Sequence, residues 1–501
     1  MTSVHRSLIL SFVERYALIA ISLLSNILLA RLLTPKEIGI YSVSLAVIGI
    51  AQVLRDFGVG SFLIQEKNLS EAHIQTAFGF SLLIGSGLFV IVYFVAPFAG
   101  EFYGEVRMAQ TMRISAVSFL VLPFCTISLA LLRRGMAFNR LVIVNLIAAL
   151  TGFGTTTSLA YTGFGPDSMA IGAVVSNILT GIGAWIARTD RKFLLPRFSQ
   201  WRTLLKFGVQ NSVANIVTSI SVDINDLLLG KFLGLVPVAI ISRAQGLMNL
   251  FHRDLMAAIQ SVAFPAFAKA YRNGEPLESH YVSSVAAVTV IAWPFYGFTA
   301  LFALEILRMM FGTQWDESAS LVPIYCAAGA VAATFTLIPN VLIAAGRIDL
   351  FTRFTLIFQP IRVVLIFVAA VFFKSLAACA IAYLLAFMLN APFLYLFKAR
   401  CIPNNYRALF KNLWSSVKVT LATLAVPAGI AGYIGFLRDR PISLTFFAAA
   451  IGAAAISWFV SLFFFKHSLI ADPLFRRLVE KLPGFKDTAS QGERGRQELV
   501  E

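Results

Sequence analysis

The residues of this chain that could do chemistry are ionisable side chains set inside apolar stretches. Arg15, Arg55, Arg243 and Arg362 are the arginines so placed, and Glu14, Asp56, Asp223 and Asp226 are the acids. A charge at bilayer depth is costly unless it faces protein or water, so each one needs a reason. Arg15 and Arg55 lie toward the ends of their segments, where a long stem can lift the guanidinium to the interface. Arg243 and Arg362 lie deeper. Arg362 follows Gln359 by one turn on the same face, and Pro360 between them is expected to break or kink the helix. Two readings stand open for Arg243: it faces a water-filled cavity, or it pairs with Asp226. Guanidinium suits phosphate because its planar fork donates several hydrogen bonds and keeps its charge. Arg15, Arg55, Arg243 and Arg362, with Gln359 as a neutral donor, are therefore candidate ligands for an anion such as a pyrophosphate. Asp223 and Asp226 are candidate coupling residues. They could bind a cation, carry a proton, or neutralise arginines.

The signatures of covalent chemistry are missing. The chain has no Walker A sequence, no HExxH and no GxSxG. Its five histidines, His5, His73, His252, His280 and His467, fall near segment ends or in connections. The four cysteines, Cys125, Cys326, Cys379 and Cys401, show no CxxC spacing, so neither a disulfide framework nor a metal site is expected. No cofactor is implied.

Hydrophobic residues make up 58% of the 501 positions and charged residues only 13%. A soluble protein of this length would need far more polar surface. The chain reads as an all-α polytopic membrane protein, because windows of the length a span requires recur from Leu8 to Phe465. About fourteen helices are expected at that spacing. They lie near 8–30, 38–60, 76–96, 112–132, 141–161, 168–187, 207–230, 236–258, 281–304, 319–342, 354–373, 376–397, 417–436 and 443–465. Arginine and lysine concentrate in alternate connections, in the segments 133–140, 188–206 and 398–418 and in the tail after 465. By the positive-inside rule those connections and both termini are cytoplasmic. The same bias accounts for the net charge of +16, so no nucleic-acid partner is needed to explain it. No cleavable signal peptide is expected, since the first apolar stretch is too long and carries Glu14 and Arg15.

The chain also echoes itself. LLARLLTPKEIGIYS at 28–42 aligns without a gap to LLGKFLGLVPVAIIS at 228–242, matching Arg31 to Lys231, Leu33 to Leu233, Ile40 to Ile240 and Ser42 to Ser242. The preceding helices each carry a polar stripe: Ser11, Arg15, Ser22 and Asn26 in one, Asn211, Asn215, Ser219, Asp223 and Asp226 in the other. Two related six-helix bundles plus two C-terminal helices follow from the echo. The expected boundaries are a first bundle over 1–187, a basic linker over 188–206, a second bundle over 207–398, helices thirteen and fourteen with their connection over 399–465, and a polar tail over 466–501. The longest outer connections, AGEFYGEVRMAQ and EILRMMFGTQWDE, are short. They leave no room for a catalytic domain of glycan assembly.

The segment ARLLTPKEIGIYSVSLAVIGIAQVLRDFGVGSFLIQEKNLSEAHIQTAFG at 30–79 resembles the polysaccharide transporter family. That family is the oligosaccharide flippase branch of the superfamily that also holds multidrug and toxin extrusion antiporters. The resemblance rests on LLxPxExGxYS, on DFGVGSxLIQ from Asp56 to Gln65, and on DLLLGKFLG from Asp226 to Gly234. Among members, the exopolysaccharide exporters of the succinoglycan type are the most similar. The resemblance implies two bundles around a cavity, alternating access, and a substrate of undecaprenyl-pyrophosphate-linked oligosaccharide. It implies a bacterial inner-membrane flippase rather than an enzyme, with membrane lipids around it and a polysaccharide polymerase and export machinery as partners. A small-molecule efflux antiporter of the same fold and a membrane enzyme of glycan assembly are the alternatives. The deep arginines argue against the first and the short outer loops against the second.

Overall fold

The computed structural model describes residues 2–55, 58–188, 195–199, 202, 204–205, 223–436, 444–471 and 475. Every described element is helical. In chain order α1 is Thr2–Leu32, α2 Pro35–Arg55, α3 Val59–Gln65, α4 Glu71–Tyr103, α5 Val106–Ala116, α6 Ser118–Arg134, α7 Phe138–Tyr161 and α8 Pro166–Ala187. The segment 223–232 is α9. Then come α10 Leu235–Asn249, α11 Met256–Arg272, α12 Leu277–Leu301, α13 Ala303–Phe311, α14 Asp316–Ala319, α15 Val322–Ala333, α16 Ile338–Ala344, α17 Ile348–Val368, α18 Leu376–Ala399, α19 Tyr406–Phe436 and α20 Leu444–Phe464.

Eleven helices among the described residues are long and apolar enough to cross a membrane, so the chain is a multi-pass membrane protein. The expected count of about fourteen is not established. The difference lies at α2, which is helical as expected but falls outside the eleven, and at the expected helices over 207–230 and 236–258. Residues 207–222 lie outside the described residues, as does Asp56. The expected helix over 236–258 is α10 joined through a π-helical turn, Leu250–Leu255, to α11. The helix over 38–60 is described as far as Arg55, and a separate α3 starts after Gly58 at φ 71°, a left-handed conformation that glycine adopts without strain. Pro360 does not break its helix: α17 runs through it, and the irregular turn comes later, as a π segment over Ala369–Phe373.

The chain divides into two compact units. The first holds residues 1–244, 307–321 and 355–383; the second holds 245–306, 322–354 and 384–501. In the first unit α7 packs along α8 and α1 along α7. Small residues permit the closeness, since a Cβ at Gly172 would collide with Thr156 Oγ1 and one at Gly152 would stand 2.8 Å from Ser176 Cβ. In the second unit α12 is the central helix, packed against α15 and α19. Several polar groups inside it are paired, as most groups cut off from water are. Tyr281 donates to Tyr395 Oη at 2.9 Å, and Tyr395 donates to the Thr334 carbonyl at 2.6 Å. Fully buried Lys398 is ion-paired to Glu278 and donates to Asn404 Oδ1 at 2.7 Å. Ser416 bridges Thr289 at 2.9 Å and His467 Nε2 at 3.1 Å, and burial pushes the His467 imidazole down to about 4, so it stays neutral.

Candidate functional site

The site residues are positioned by the two echoing hairpins, and the local sequence explains the first of them. Thr34 caps α2 and Pro35 occupies its first turn, where the missing N–H costs nothing. Glu37 reaches back to accept from the Thr34 N–H and from its Oγ1, both at 2.9 Å. Thr34 Oγ1 in turn accepts from the Glu37 N–H at 3.3 Å. TPKE is thus a capping box, which explains two of the motif's residues physically. Gly39 explains a third, because a Cβ there would collide with the Leu235 carbonyl. The two hairpins therefore touch at equivalent turns of the echo.

Below that contact α2 lies against α9. A Cβ at Gly230 would stand 2.8 Å from Val43 Cγ2, and the carboxylate of Asp223 rests on the bare Cα of Gly49. Asp223 and Asp226, three residues apart on α9, share a helical face, and both are half-buried. Neither is ion-paired to Arg243 among the described residues, so the Arg243–Asp226 pair left open by the sequence is not formed.

Arg243 is held differently. It is 8% exposed, with its guanidinium 4.9 Å from the ring centroid of Trp315 and 5.1 Å from that of Phe311. Cation–π attraction of this kind is strongest where water is excluded. The Nε of Arg243 is buried and donates to no partner among the described residues. Gln359 and Arg362 are half-buried on α17, with Arg362 in electrostatic contact with Tyr383. Arg55 lines a cavity of about 20 Å³ with Ser81, Pro123 and Thr126, room for one water molecule. Arg15 is exposed, while its neighbour Glu14 accepts from Asn145 Nδ2 of α7 at 2.6 Å. All seven predicted site residues fall in the first unit. Asp223 and Asp226 are brought together against α2, and Gln359 and Arg362 share α17; Arg15, Arg55 and Arg243 occupy separate surroundings.

Residues that the sequence did not single out complete the hairpin end. Trp315 Nε1 donates to the Ala30 carbonyl at 2.9 Å, and Tyr103 Oη donates to the Leu227 carbonyl at 3.1 Å. Lys36 pairs with Glu105 at 2.7 Å. The Lys36 hydrogen bond and its charge, with Arg107 nearby, hold the Glu105 carboxyl below the usual carboxylate range. The signal that could have found these residues is the aromatic and acidic content of AGEFYGEVRMAQ and EILRMMFGTQWDE.

An all-helical membrane protein with ionisable side chains inside its spans, built on two echoing hairpins, is the class that fold and site define. The sequence profile of the polysaccharide biosynthesis protein family matches residues 28–320, more than half of the chain, and the chain belongs to that family. It is 24% identical over 428 residues to the lipopolysaccharide biosynthesis protein WzxC of Escherichia coli, covering 83% of this chain and 85% of that protein. It is 27% identical over 300 residues to the succinoglycan biosynthesis transport protein ExoT of Rhizobium meliloti, 58% of each chain. Its fold is similar to that of the lipid II flippase MurJ in an inward closed conformation, at a TM-score of 0.73 and 14% identity, over 92% of this chain and 98% of that one. A multidrug resistance MATE family transporter of the MOP superfamily shares the fold at a TM-score of 0.63 and 16% identity, over 76% of this chain and 93% of that one.

Proposed function

We propose that the chain is an inner-membrane flippase for an undecaprenyl-pyrophosphate-linked oligosaccharide, serving the assembly of an extracellular polysaccharide. No bond is made or broken. The polyprenyl tail stays in lipid while the pyrophosphate and sugars cross by exchange between states open to one side and then the other. The observation that carries this reading is a buried arginine, Arg243, with a spare donor and no carboxylate partner among the described residues. A cation so placed retains its attraction for an anion, whereas one neutralised by an acid would not. Family membership and the relatives named for lipopolysaccharide biosynthesis and succinoglycan transport support the same substrate class.

Gln359 and Arg362, which share α17, are proposed to hold the pyrophosphate at one point of its passage, with Arg243, Arg55 and Arg15 meeting it at others. Asp223 and Asp226 are the proposed coupling residues, because they are half-buried acids without an arginine partner among the described residues. Both termini and the basic connections are placed in the cytoplasm by their charge, and the hairpin end faces outward. A polymerase and export proteins would take up the delivered unit. The test is Arg362→Ala, which should abolish polysaccharide export while the protein remains in the membrane, with Arg362→Lys restoring part of it. Normal export by the alanine variant would remove the anion-site role.

A further inference from the structure

Arg31 and Lys231 hold the same position in the two echoing hairpins, one at the end of α1 and the other at the end of α9. In the structure each leaves its own half of the sequence. Arg31 donates through Nε to the Met310 carbonyl at 3.1 Å and through a terminal nitrogen to the Met309 carbonyl, both in the last turn of α13. Lys231 donates to the Phe102 carbonyl at 2.6 Å, in the last turn of α4, with its ammonium 3.8 Å from the Phe102 ring centroid. The last carbonyls of a helix have no partner inside it and carry the negative end of its dipole, so a cation is favoured there. The two receiving helices end alike. α4 stops at Gly104, φ 69°, and α13 at Gly312, φ 98°. Just past or beside each stop an aromatic donor returns the contact, Tyr103 to the Leu227 carbonyl and Trp315 to the Ala30 carbonyl. The exchange is reciprocal: the first hairpin holds a helix of the second half, and the second hairpin holds a helix of the first.

We propose that Arg31 and Lys231 are paired latches that keep the hairpin end of this carrier shut, and that both must release before the head group can leave on that side. The inference rests on the transport reading and adds the device that closes one end. Both cations are exposed, so each latch is weak enough to open in every cycle. The arms are unequal, because Arg31 engages two carbonyls and Lys231 one. A cation on a helix end is not by itself a latch. Arg134 caps α3 by donating to the Leu63 carbonyl at 2.9 Å and the Ile64 carbonyl at 3.2 Å, and it joins neighbouring elements of one half. Arg134 therefore serves as the control.

The experiment uses Ser44→Cys, at a position buried in α2 below the hairpin contact, as the reporter and labels intact cells with a membrane-impermeant maleimide. Arg31→Gln and Lys231→Gln should each raise the labelling rate roughly two- to fivefold, as the loss of one helix-end charge implies. The double variant should give the product of the two. Arg31→Lys should keep most of the protection, and Arg134→Gln should not raise labelling at all. Labelling unchanged in the double variant would overturn the proposal. So would an equal rise with Arg134→Gln, which would mean general loosening. The readout needs no substrate. Failed latches with working lipid translocation would sink this inference alone, and working latches without translocation would sink the transport reading alone.

Discussion

Placing a methyl group at Gly49 tests whether Asp223 sits where its role requires. The Asp223 carboxylate occupies the space a side chain at Gly49 would take: the added Cβ would collide with Oδ2 and stand 2.9 Å from Cγ. Neither helix backbone is free to move, since Gly230 of α9 is also pressed against Val43 of α2. The short Asp223 side chain must therefore swing out of its niche. Overpacking by one methyl costs about 1–3 kcal/mol. Asp223→Ala removes the obstacle, so Gly49→Ala should cost little in that background, and the cycle should show a coupling of about 0.5–3 kcal/mol. The assay is thermal unfolding of the purified protein in detergent for the four members of the cycle, together with polysaccharide export by cells carrying each. Gly49→Ala should lose export as Asp223→Asn does, because the first pushes the carboxylate out of its niche and the second replaces it there with a neutral amide. Strictly additive destabilisation would refute the packing argument. Full export by Gly49→Ala would refute the coupling role of Asp223.

Other consequences are open to measurement. In the second unit, Glu278→Gln leaves Lys398 buried without its counter-charge, at a cost of about 3–5 kcal/mol; Glu278→Gln with Lys398→Met should recover most of it in detergent unfolding, and no recovery would show that the pair is not the source. Glu105 has a depressed pKa from Lys36 and Arg107, so its contribution is present above the unfolded-state value and is lost as pH falls through the folded one. Stability should therefore drop on acidification below the ordinary carboxylate range, and Glu105→Gln should flatten that slope; an unchanged slope would dismiss the contact. Asp226→Asn with Arg243→Gln should stay inactive though well expressed, because no ion pair joins these residues in the structure and nothing is restored by removing both. Recovered export would show that Asp226 only neutralises Arg243.

The sequence displayed the fold more fully than the site. Apolar windows located the helices because bilayer thickness fixes their length, and the 28–42 and 228–242 echo located the hairpins that carry Arg31 and Lys231. TPKE has the Thr-x-x-Glu spacing of the capping box formed at Thr34–Glu37, a pattern the reading of the sequence did not use. The aromatic cage of Arg243 was not visible, since Phe311 and Trp315 lie far along the chain in a connection with no periodic signal. The seat of Asp223 on Gly49 was hidden for a related reason: a glycine in an apolar helix reveals no partner. Pro360 suggested a break that α17 does not have, since the helix runs on through it. The compact units also follow contacts rather than chain order, which is why 307–321 and 355–383 join the N-terminal residues.

Reconstitution into liposomes tests the central claim most directly. Undecaprenyl-pyrophosphate-linked oligosaccharide is loaded into the vesicles, and the fraction of head groups open to an added glycosidase is followed with time. Access should rise from one leaflet toward both in vesicles that contain the protein, with no change to the lipid other than the glycosidase cleavage and the rise greatly reduced by Arg362→Ala. Access that stays at one leaflet with well-folded protein, or a lengthened glycan among the products, would contradict the account.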